Sequence, residues 1–281
     1  MTASSIRPLT AIGCVLALSA CPQRWQASAF PTHGELFRAS LNELERGSPR
    51  NAITGFERLT LELGMRDTLL ARSHYYLGVA RMRTKEWLLA ADAFTRLVST
   101  FPADTLADDA LLLSGRAYAQ LWREPELDPQ YGRAAIAVLS SIPQSYPDSP
   151  LIPEAGAEIA QIRAMLAKKD YENGTYYISK RRSVHSGVIY LQHVIDSFPE
   201  TPAARDAHIR IAEGYRRIGY TEDLREICRQ ALERYPDDSE VRGACRGTVA
   251  PAPSSAPTAG RSGSPPPPAR APPSPPPGTH R

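Results

Sequence analysis

The chain has 281 residues, of which 42% are hydrophobic and 22% charged, a balance typical of a folded protein. Its formal net charge of +3 excludes the large basic excess that most nucleic-acid-binding domains carry. Its four cysteines are too few for a disulfide scaffold or a multi-cysteine metal site. We therefore expect no nucleic-acid partner, no metal and no cofactor, and the apolar runs are too short to predict a transmembrane helix.

The first 20 residues have the features of a signal peptide. Arg7 is their only charged residue, and the apolar stretch 9–18 is too short to span a bilayer. The stretch ends in Leu-Ser-Ala-Cys21, which resembles a bacterial lipobox. This resemblance implies cleavage before Cys21, acylation of that residue and, since no Asp follows it, an outer-membrane location. We expect a signal at 1–20 and a tether over 21–33; the alternative is an ordinary signal with a chance cysteine.

The other end of the chain is rich in proline. Twelve of the 26 prolines lie from Pro251 onward, among Ala, Ser and Gly. Such a composition cannot bury enough apolar surface to offset its ordering entropy, which predicts a disordered tail over 248–281. A partner-binding or wall-spanning role and a tolerated extension both remain open for it.

The part between these ends is punctuated by four aromatic–proline pairs, each following a stretch with helical hydrophobic period. They are Phe101-Pro102, Tyr146-Pro147, Phe198-Pro199 and Tyr235-Pro236. In the clearest unit, Leu77-Gly78 lies on a first helix and Ala90, Phe94 and Leu97 follow on a second. This arrangement resembles a tetratricopeptide repeat, in which small residues let two antiparallel helices approach closely.

Five copies of the pattern, the fourth of them degenerate, predict an all-α tetratricopeptide-repeat solenoid of about five helix pairs over 34–247. The third copy has eight extra residues between its helices, within 123–131. Between the third and fourth copies, apolar residues at helical spacing predict one long helix of about 28 residues that ends near Ile178. The alternative is an irregular helical bundle.

Catalytic motifs are missing from the sequence. The six histidines lack the spacing of a zinc hydrolase, and neither a phosphate-binding loop nor a nucleophile elbow occurs. A helical hydrolase such as a muramidase would need a catalytic carboxylate, and nothing in the sequence singles one out.

Cys228 and Cys245 would share an oxidising compartment, where a disulfide could join a short terminal helix to the last repeat; a free, buried Cys228 is the alternative.

The second half of the repeat region contains three more specific segments. These are Leu-Asp-Pro-Gln-Tyr-Gly-Arg-Ala-Ala at 127–135, a Tyr-x4-Tyr-Tyr helix ending at Tyr177, and Ser-Phe-Pro-Glu-Thr-Pro-Ala-Ala-Arg-Asp-Ala at 197–207. With the lipobox and five repeats, they resemble the BamD family of outer-membrane β-barrel assembly lipoproteins over about residues 34–240. Residues 179–184 depart from the family pattern.

The resemblance implies a non-enzymatic scaffold, held by its lipid on the periplasmic face of the outer membrane. The C-terminal repeats would bind the POTRA region of the BamA-like insertase, and the N-terminal repeats would receive unfolded β-barrel clients. An adaptor for peptidoglycan enzymes or the Tol–Pal system is the alternative; such a protein would lack the Asp-Pro insert and the Tyr-Tyr helix.

Two sets of residues are the candidate sites. A groove on the first helices of the repeats would hold a client peptide with an aromatic end and a free carboxylate. The predicted groove residues are Phe37, Leu41, Arg72, Tyr75, Val79, Met82, Leu112 and Arg116. The predicted insertase contact is Tyr176, Tyr177, Lys180, Arg181 and Arg182. For this basic cluster, simple stabilisation of a helix C-terminus is the alternative role.

Overall fold

The structure, a computed structural model, describes residues 25–124 and 128–248. The predicted signal peptide, Cys21 and the tail from residue 249 lie outside the described residues. Within the described ranges the chain forms twelve α-helices and a short 3-10 helix, Ala27–Ala29, with no strand. The helices are α1 (His33–Glu45), α2 (Pro49–Glu62), α3 (Thr68–Thr84), α4 (Trp87–Thr100), α5 (Ala107–Leu121), α6 (Gln130–Ser140), α7 (Ile142–Ser145), α8 (Ile152–Ser179), α9 (Val184–Ser197), α10 (Pro202–Ile218), α11 (Thr221–Arg234) and α12 (Ser239–Ala244).

Five helix pairs make up the body of the molecule. The pairs are α1 with α2, α3 with α4, α5 with α6, α8 with α9, and α10 with α11. Each pair also contacts the next, as α2 does α3 and α9 does α10. The predicted all-α tetratricopeptide-repeat fold is therefore confirmed. No helix in the described ranges has both the length and the apolarity needed to cross a bilayer.

Close approach within the pairs depends on a small residue on the first helix. A Cβ atom added to Gly78 on α3 would lie 2.6 Å from the ring of Phe94 on α4. In the next pair, a Cβ on Gly115 would lie 2.5 Å from Leu139. Phe94 and Leu139 are fully buried. The glycines therefore leave the space that the large side chain of the partner helix occupies.

The longest helix, α8, has the 28 residues predicted for it. It contacts α6 of the third pair as well as α9 and α10. Gly174 allows its second half to approach α9, since a Cβ there would lie 2.6 Å from Leu191. The helix thus serves both as a support for the third pair and as the first helix of the fourth.

The described part of the predicted tether, from Trp25 onward, packs against the first repeat. Trp25 is partly buried and lies beside Gly55 of α2, and Ala27 is buried. The Ala27 carbonyl accepts a 2.8 Å hydrogen bond from Arg58 Nη1. The apolar ring of Trp25 gains more by packing on α2 than by remaining in water, which holds this part of the segment against the first repeat.

The C-terminal end of the solenoid is closed by α12. Val241 is fully buried under the last pair, and Arg205 of α10 pairs with Asp238 and Glu240 at 2.6 Å each. The Arg205 guanidinium holds the pKa of Asp238 below its usual value. Cys228 of α11 is disulfide-bonded to Cys245, with Cα atoms 5.4 Å apart. A six-residue helix is too short to be stable alone, so these contacts hold it in place.

Replacing Phe94 by Ala tests the packing of the pairs. We expect the free energy of unfolding to fall by about 3–5 kcal/mol, because the change leaves a cavity opposite Gly78. Leu61→Ala is the matched control: Leu61 is 85% exposed, so we expect a change below about 0.5 kcal/mol. Urea unfolding measures both, and a Phe94→Ala variant as stable as the parent would contradict this packing.

Reduction of the disulfide tests the closing helix. The bond joins residues 17 positions apart, a separation for which cross-linking contributes about 3 kcal/mol. We expect dithiothreitol to lower the melting temperature of the parent protein. A Cys228→Ala/Cys245→Ala variant should already melt lower and should not respond to the reductant. Equal melting temperatures for the parent with and without reductant would be the contrary result.

Candidate functional site: an apolar cleft and an aromatic–basic patch

A cleft of about 660 Å³ opens between α3, α5 and α8. The residues around it come from these three helices and from the start of α4, which the solenoid brings together. They are Val79, Met82, Arg83, Trp87, Arg116, Ala119, Gln120, Glu158, Gln161 and Ile162. The volume is within the range of ordinary ligand pockets, so the cleft can hold one or two side chains of a bound segment.

One wall of the cleft is apolar. Val79 and Met82 lie one turn apart on α3, Trp87 begins α4, and Ile162 faces them from α8. Except for the buried Ile162, these side chains are only partly covered. Exposed apolar surface in a concave site stabilises a bound apolar group by removing it from water.

The floor of the cleft carries an ion-pair network. Arg116 Nε donates to Glu158 Oε1 at 2.5 Å, and its Nη2 donates to Glu154. Burial alone would lower the pKa of Arg116, but the two carboxylates raise it by more, so the pKa lies above its usual value. The arginine is therefore charge-compensated, and it ties α5 to α8 instead of presenting a free cation to a ligand.

Arg83 at the rim is in a different electrostatic state. It is exposed, and its Nη1 donates to the backbone carbonyl of Leu44. Within 25–124 and 128–248 no carboxylate forms an ion pair with it. A neutral carbonyl leaves the positive charge uncompensated, so Arg83 can still attract an anionic group at the mouth of the cleft.

Three predicted groove residues line this cleft: Val79, Met82 and Arg116. The prediction is wrong for Phe37 and Leu112, which are buried in the core. Phe37 packs edge-on against Phe56 at a centroid distance of 5.6 Å. Phe37 and Leu112 lie on first helices, as the cleft residues do. The Phe37 ring and the branched Leu112 side chain are instead buried between helices.

The other predicted groove residues lie away from the cleft. Leu41 packs against the core of the first repeat, and the exposed Arg72 lies 5.1 Å above the ring of Phe37. The Tyr75 hydroxyl donates a hydrogen bond to Asp109. Burial, followed by this carboxylate, raises the pKa of Tyr75. Tyr75 therefore joins the second and third repeats rather than lining the cleft.

The sequence-based prediction missed the α8 side of the cleft and part of its rim. Glu158, Gln161 and Ile162 belong to a helix outside the simple repeat, so repeat spacing did not point to them. Ala119 and Gln120 follow Arg116 by one helical turn, a spacing that could have identified them. Trp87 begins the second helix of its repeat, whereas the predicted groove residues all lie on first helices.

The second candidate surface, which we call the aromatic–basic patch, consists of Tyr176, Tyr177, Lys180, Arg181 and Arg182. Tyr176 is 48% exposed, and the three cations are exposed at the α8–α9 turn. The guanidinium of Arg181 lies 5.9 Å from the centre of the Tyr176 ring. Arg181 and Tyr176 are thus in contact at the surface, and the exposed Lys180 and Arg182 are neighbours of Arg181 in the chain.

Further aromatic and apolar groups adjoin the aromatic–basic patch. Tyr177 stacks on Tyr190 of α9 with ring planes 8° apart and centroids 5.4 Å apart. Ile189, next in sequence to Tyr190, is 71% exposed. Exposed tyrosines and arginines are residue types enriched at protein-binding surfaces.

Neither surface resembles a metal centre. In the part of the chain that the structure describes, no three His, Cys, Asp or Glu side chains are grouped to hold a metal ion. The chemistry of the cleft and of the aromatic–basic patch is that of apolar contact, charge pairing and hydrogen bonding.

Among solved structures, this chain is distantly similar to helical-repeat proteins. A TPR repeats protein from Bacteroides fragilis is 13% identical, with a TM-score of 0.47, and the match covers 77% of this chain and 97% of that one. A thermophilic TPR protein from Thermus thermophilus is 18% identical, with a TM-score of 0.34, over 75% and 96% of the two chains.

Sequence comparisons are more specific. A protein from Caulobacter vibrioides named outer membrane protein assembly factor BamD is 22% identical over 195 residues, which are 68% of this chain and 62% of the relative. A protein of the same name from Vibrio cholerae is 27% identical over 109 residues, 39% and 44% of the two chains. The matches thus span less than two thirds of these relatives.

The model of the YfiO family, described as outer membrane lipoprotein, matches residues 31–230. The chain belongs to this family of outer membrane lipoproteins, the BamD family.

Proposed function

We propose that the protein is a lipid-anchored scaffold that assists the assembly of outer-membrane β-barrel proteins from the periplasmic face of the membrane. The observation that carries the proposal is the family membership of residues 31–230. Relatives at 22% and 27% identity are named as assembly factors of outer membrane proteins. The solenoid then supplies two separate binding surfaces, one in each half of the molecule.

The anchor is the acylated Cys21. The motif Leu18-Ser19-Ala20-Cys21 follows a short apolar stretch at the distance typical of lipoprotein signals. Acyl chains contribute roughly 0.8 kcal/mol per buried CH₂, so two or more hold the protein stably on the membrane. The described chain starts four residues later, at Trp25, and is packed on the solenoid almost at once.

The apolar cleft is the client site. A client segment that ends in an aromatic residue can place its ring against Met82 and Trp87. Its terminal carboxylate would then meet Arg83 at the rim, since the charge of Arg116 is compensated by Glu154 and Glu158. Unfolded β-barrel proteins are the clients.

The aromatic–basic patch is the insertase site. It lies on the fourth repeat, at the other end of α8 from the cleft floor. Its cations suit an acidic surface on the POTRA region of a BamA-like insertase, and Tyr176 and Ile189 supply exposed apolar area. One protein can therefore hold client and insertase at the same time.

Replacing Cys21 by Ser tests the anchor. Without the thiol, neither acylation nor lipoprotein-type cleavage can occur, so we expect an uncleaved or soluble precursor. Membrane fractionation and intact mass measure the outcome. A Cys21→Ser protein that fractionates with the outer membrane and keeps the mass of the mature parent would contradict acylation at this residue.

Two pairs of substitutions test the division between the surfaces. Arg181→Glu/Arg182→Glu should abolish co-purification of the insertase through like-charge repulsion, and Met82→Ala/Trp87→Ala should weaken client binding at least about tenfold. Each should leave the other activity intact. The client probe is a synthetic peptide with a C-terminal phenylalanine, compared with its amidated form.

The matched control reverses two exposed cations elsewhere in the C-terminal half, Arg225→Glu/Arg229→Glu on α11. We expect this variant to keep both the insertase and the peptide. If the Arg181/Arg182 variant keeps the insertase, or the cleft variant keeps the peptide, the corresponding surface is assigned wrongly. Circular dichroism establishes that every variant remains folded.

A further inference from the structure

The most exposed large hydrophobic side chains of the described residues lie close together at the end of α2. Leu61 is 85% exposed and Met65 is 72% exposed. Single exposed apolar residues are common on protein surfaces, but two such side chains in one short stretch mark a contact surface when a second observation points to the same place.

The second observation is the path of the N-terminal segment. This segment runs along α2, from Trp25 beside Gly55 to Ala27, which accepts the hydrogen bond from Arg58, and on to His33. His33 Nε2 lies 3.2 Å from Glu62, the residue after Leu61. The described part of the segment therefore lies on α2 and runs from Gly55 toward the end of the helix that exposes Leu61 and Met65.

The distance to the anchor is short. Cys21 precedes Trp25 by four residues, and an extended chain spans at most about 3.6 Å per residue, or about 14 Å in total. Along α2, Leu61 lies about 9 Å from Gly55 at about 1.5 Å per residue. If Cys21 is acylated as proposed above, the anchor lies at most about 14 Å from Trp25, which packs on the same helix that carries Leu61.

The side chains around Leu61 and Met65 suit the boundary between water and lipid. Arg66 is exposed beside Met65. Arginines at such a boundary direct their charge to the headgroups while their stems remain in the apolar layer. Trp25 and Phe30, with ring centroids 5.8 Å apart, add partly exposed aromatic surface of the kind enriched at membrane interfaces.

We propose that Leu61 and Met65 form a lipid-contacting edge that enters the surface of the bilayer carrying the Cys21 anchor. The anchor holds the edge at a high local concentration of lipid, so a contact too weak to bind on its own is sufficient. The contact fixes the first repeat against the membrane and thereby sets the direction in which the solenoid extends away from it. This inference rests on the proposed acylation.

The rate of methionine oxidation tests the lipid-contacting edge without a substitution in it. The acylated mature chain is reconstituted in vesicles of phosphatidylethanolamine with a minor share of phosphatidylglycerol, and the Cys21→Ser chain expressed without its signal peptide, in solution, is the reference. Sulfoxide formation follows side-chain exposure, so hydrogen peroxide should oxidise Met65 at least about fivefold more slowly on vesicles. Met82 and Met165, which lie elsewhere, should react at the same rate in both samples.

A Met65 rate that is unchanged on vesicles would overturn the lipid-contacting edge while leaving the anchor intact. Vesicle flotation separates the two outcomes, because a chain that fails to float with the vesicles contradicts the anchor and this inference together.

A pair of variants assigns the protection to this edge. Leu61→Glu places a charge at the proposed point of insertion and should return Met65 oxidation on vesicles to the rate in solution. Leu88→Glu is the matched control, since Leu88 is 50% exposed on α4 at the opposite end of the helices. Loss of protection in the control, or full protection in Leu61→Glu, would contradict the proposal.

Discussion

The architecture depends on the contact between a small residue on one helix and a large side chain on its partner. In the second pair the contact joins Gly78 and Phe94, and in the third it joins Gly115 and Leu139. A methyl group at either glycine would overlap the partner side chain, so the helices would have to separate. Because each pair packs on the next, a separation in one pair would spread to its neighbours.

The long helix α8 converts this regular array into a molecule with two distinct surfaces. Its N-terminal half faces α5 and supplies Glu158 and Ile162 to the cleft. Its C-terminal end carries Tyr176, followed by the basic turn. Since one rigid helix joins the two surfaces, a partner on one lies at a fixed distance from a partner on the other. That geometry suits a scaffold.

Charge pairing decides which cations are free to act. Arg116 is neutralised by two glutamates across the floor of the cleft, and Arg205 is neutralised at the closing helix. Both arginines therefore connect helices, and neither presents an open charge. Arg83, together with Arg181 beside an exposed tyrosine, retains the capacity to attract a partner. Position in the repeat does not reveal this difference, because it depends on side chains from distant helices.

Periodicity and repeat spacing in the amino-acid sequence were sufficient to predict the helical fold, the five pairs and the 28-residue helix. They succeed because burial of one helix face is a local requirement, repeated at fixed intervals. The sequence also predicted that Tyr176, Tyr177 and the basic turn share a surface, since they are neighbours in the chain.

Only the tertiary structure decided which groove residues face the cleft. Phe37 and Leu112 share the helical spacing of Met82 and Arg116, yet they are buried. The cleft draws its residues from four helices, one of them outside the repeat pattern, and such convergence is determined by how the pairs stack. The packing of Trp25 on α2 was likewise beyond the sequence, because whether a residue before the first helix is held against the solenoid depends on the surface that the folded helices offer.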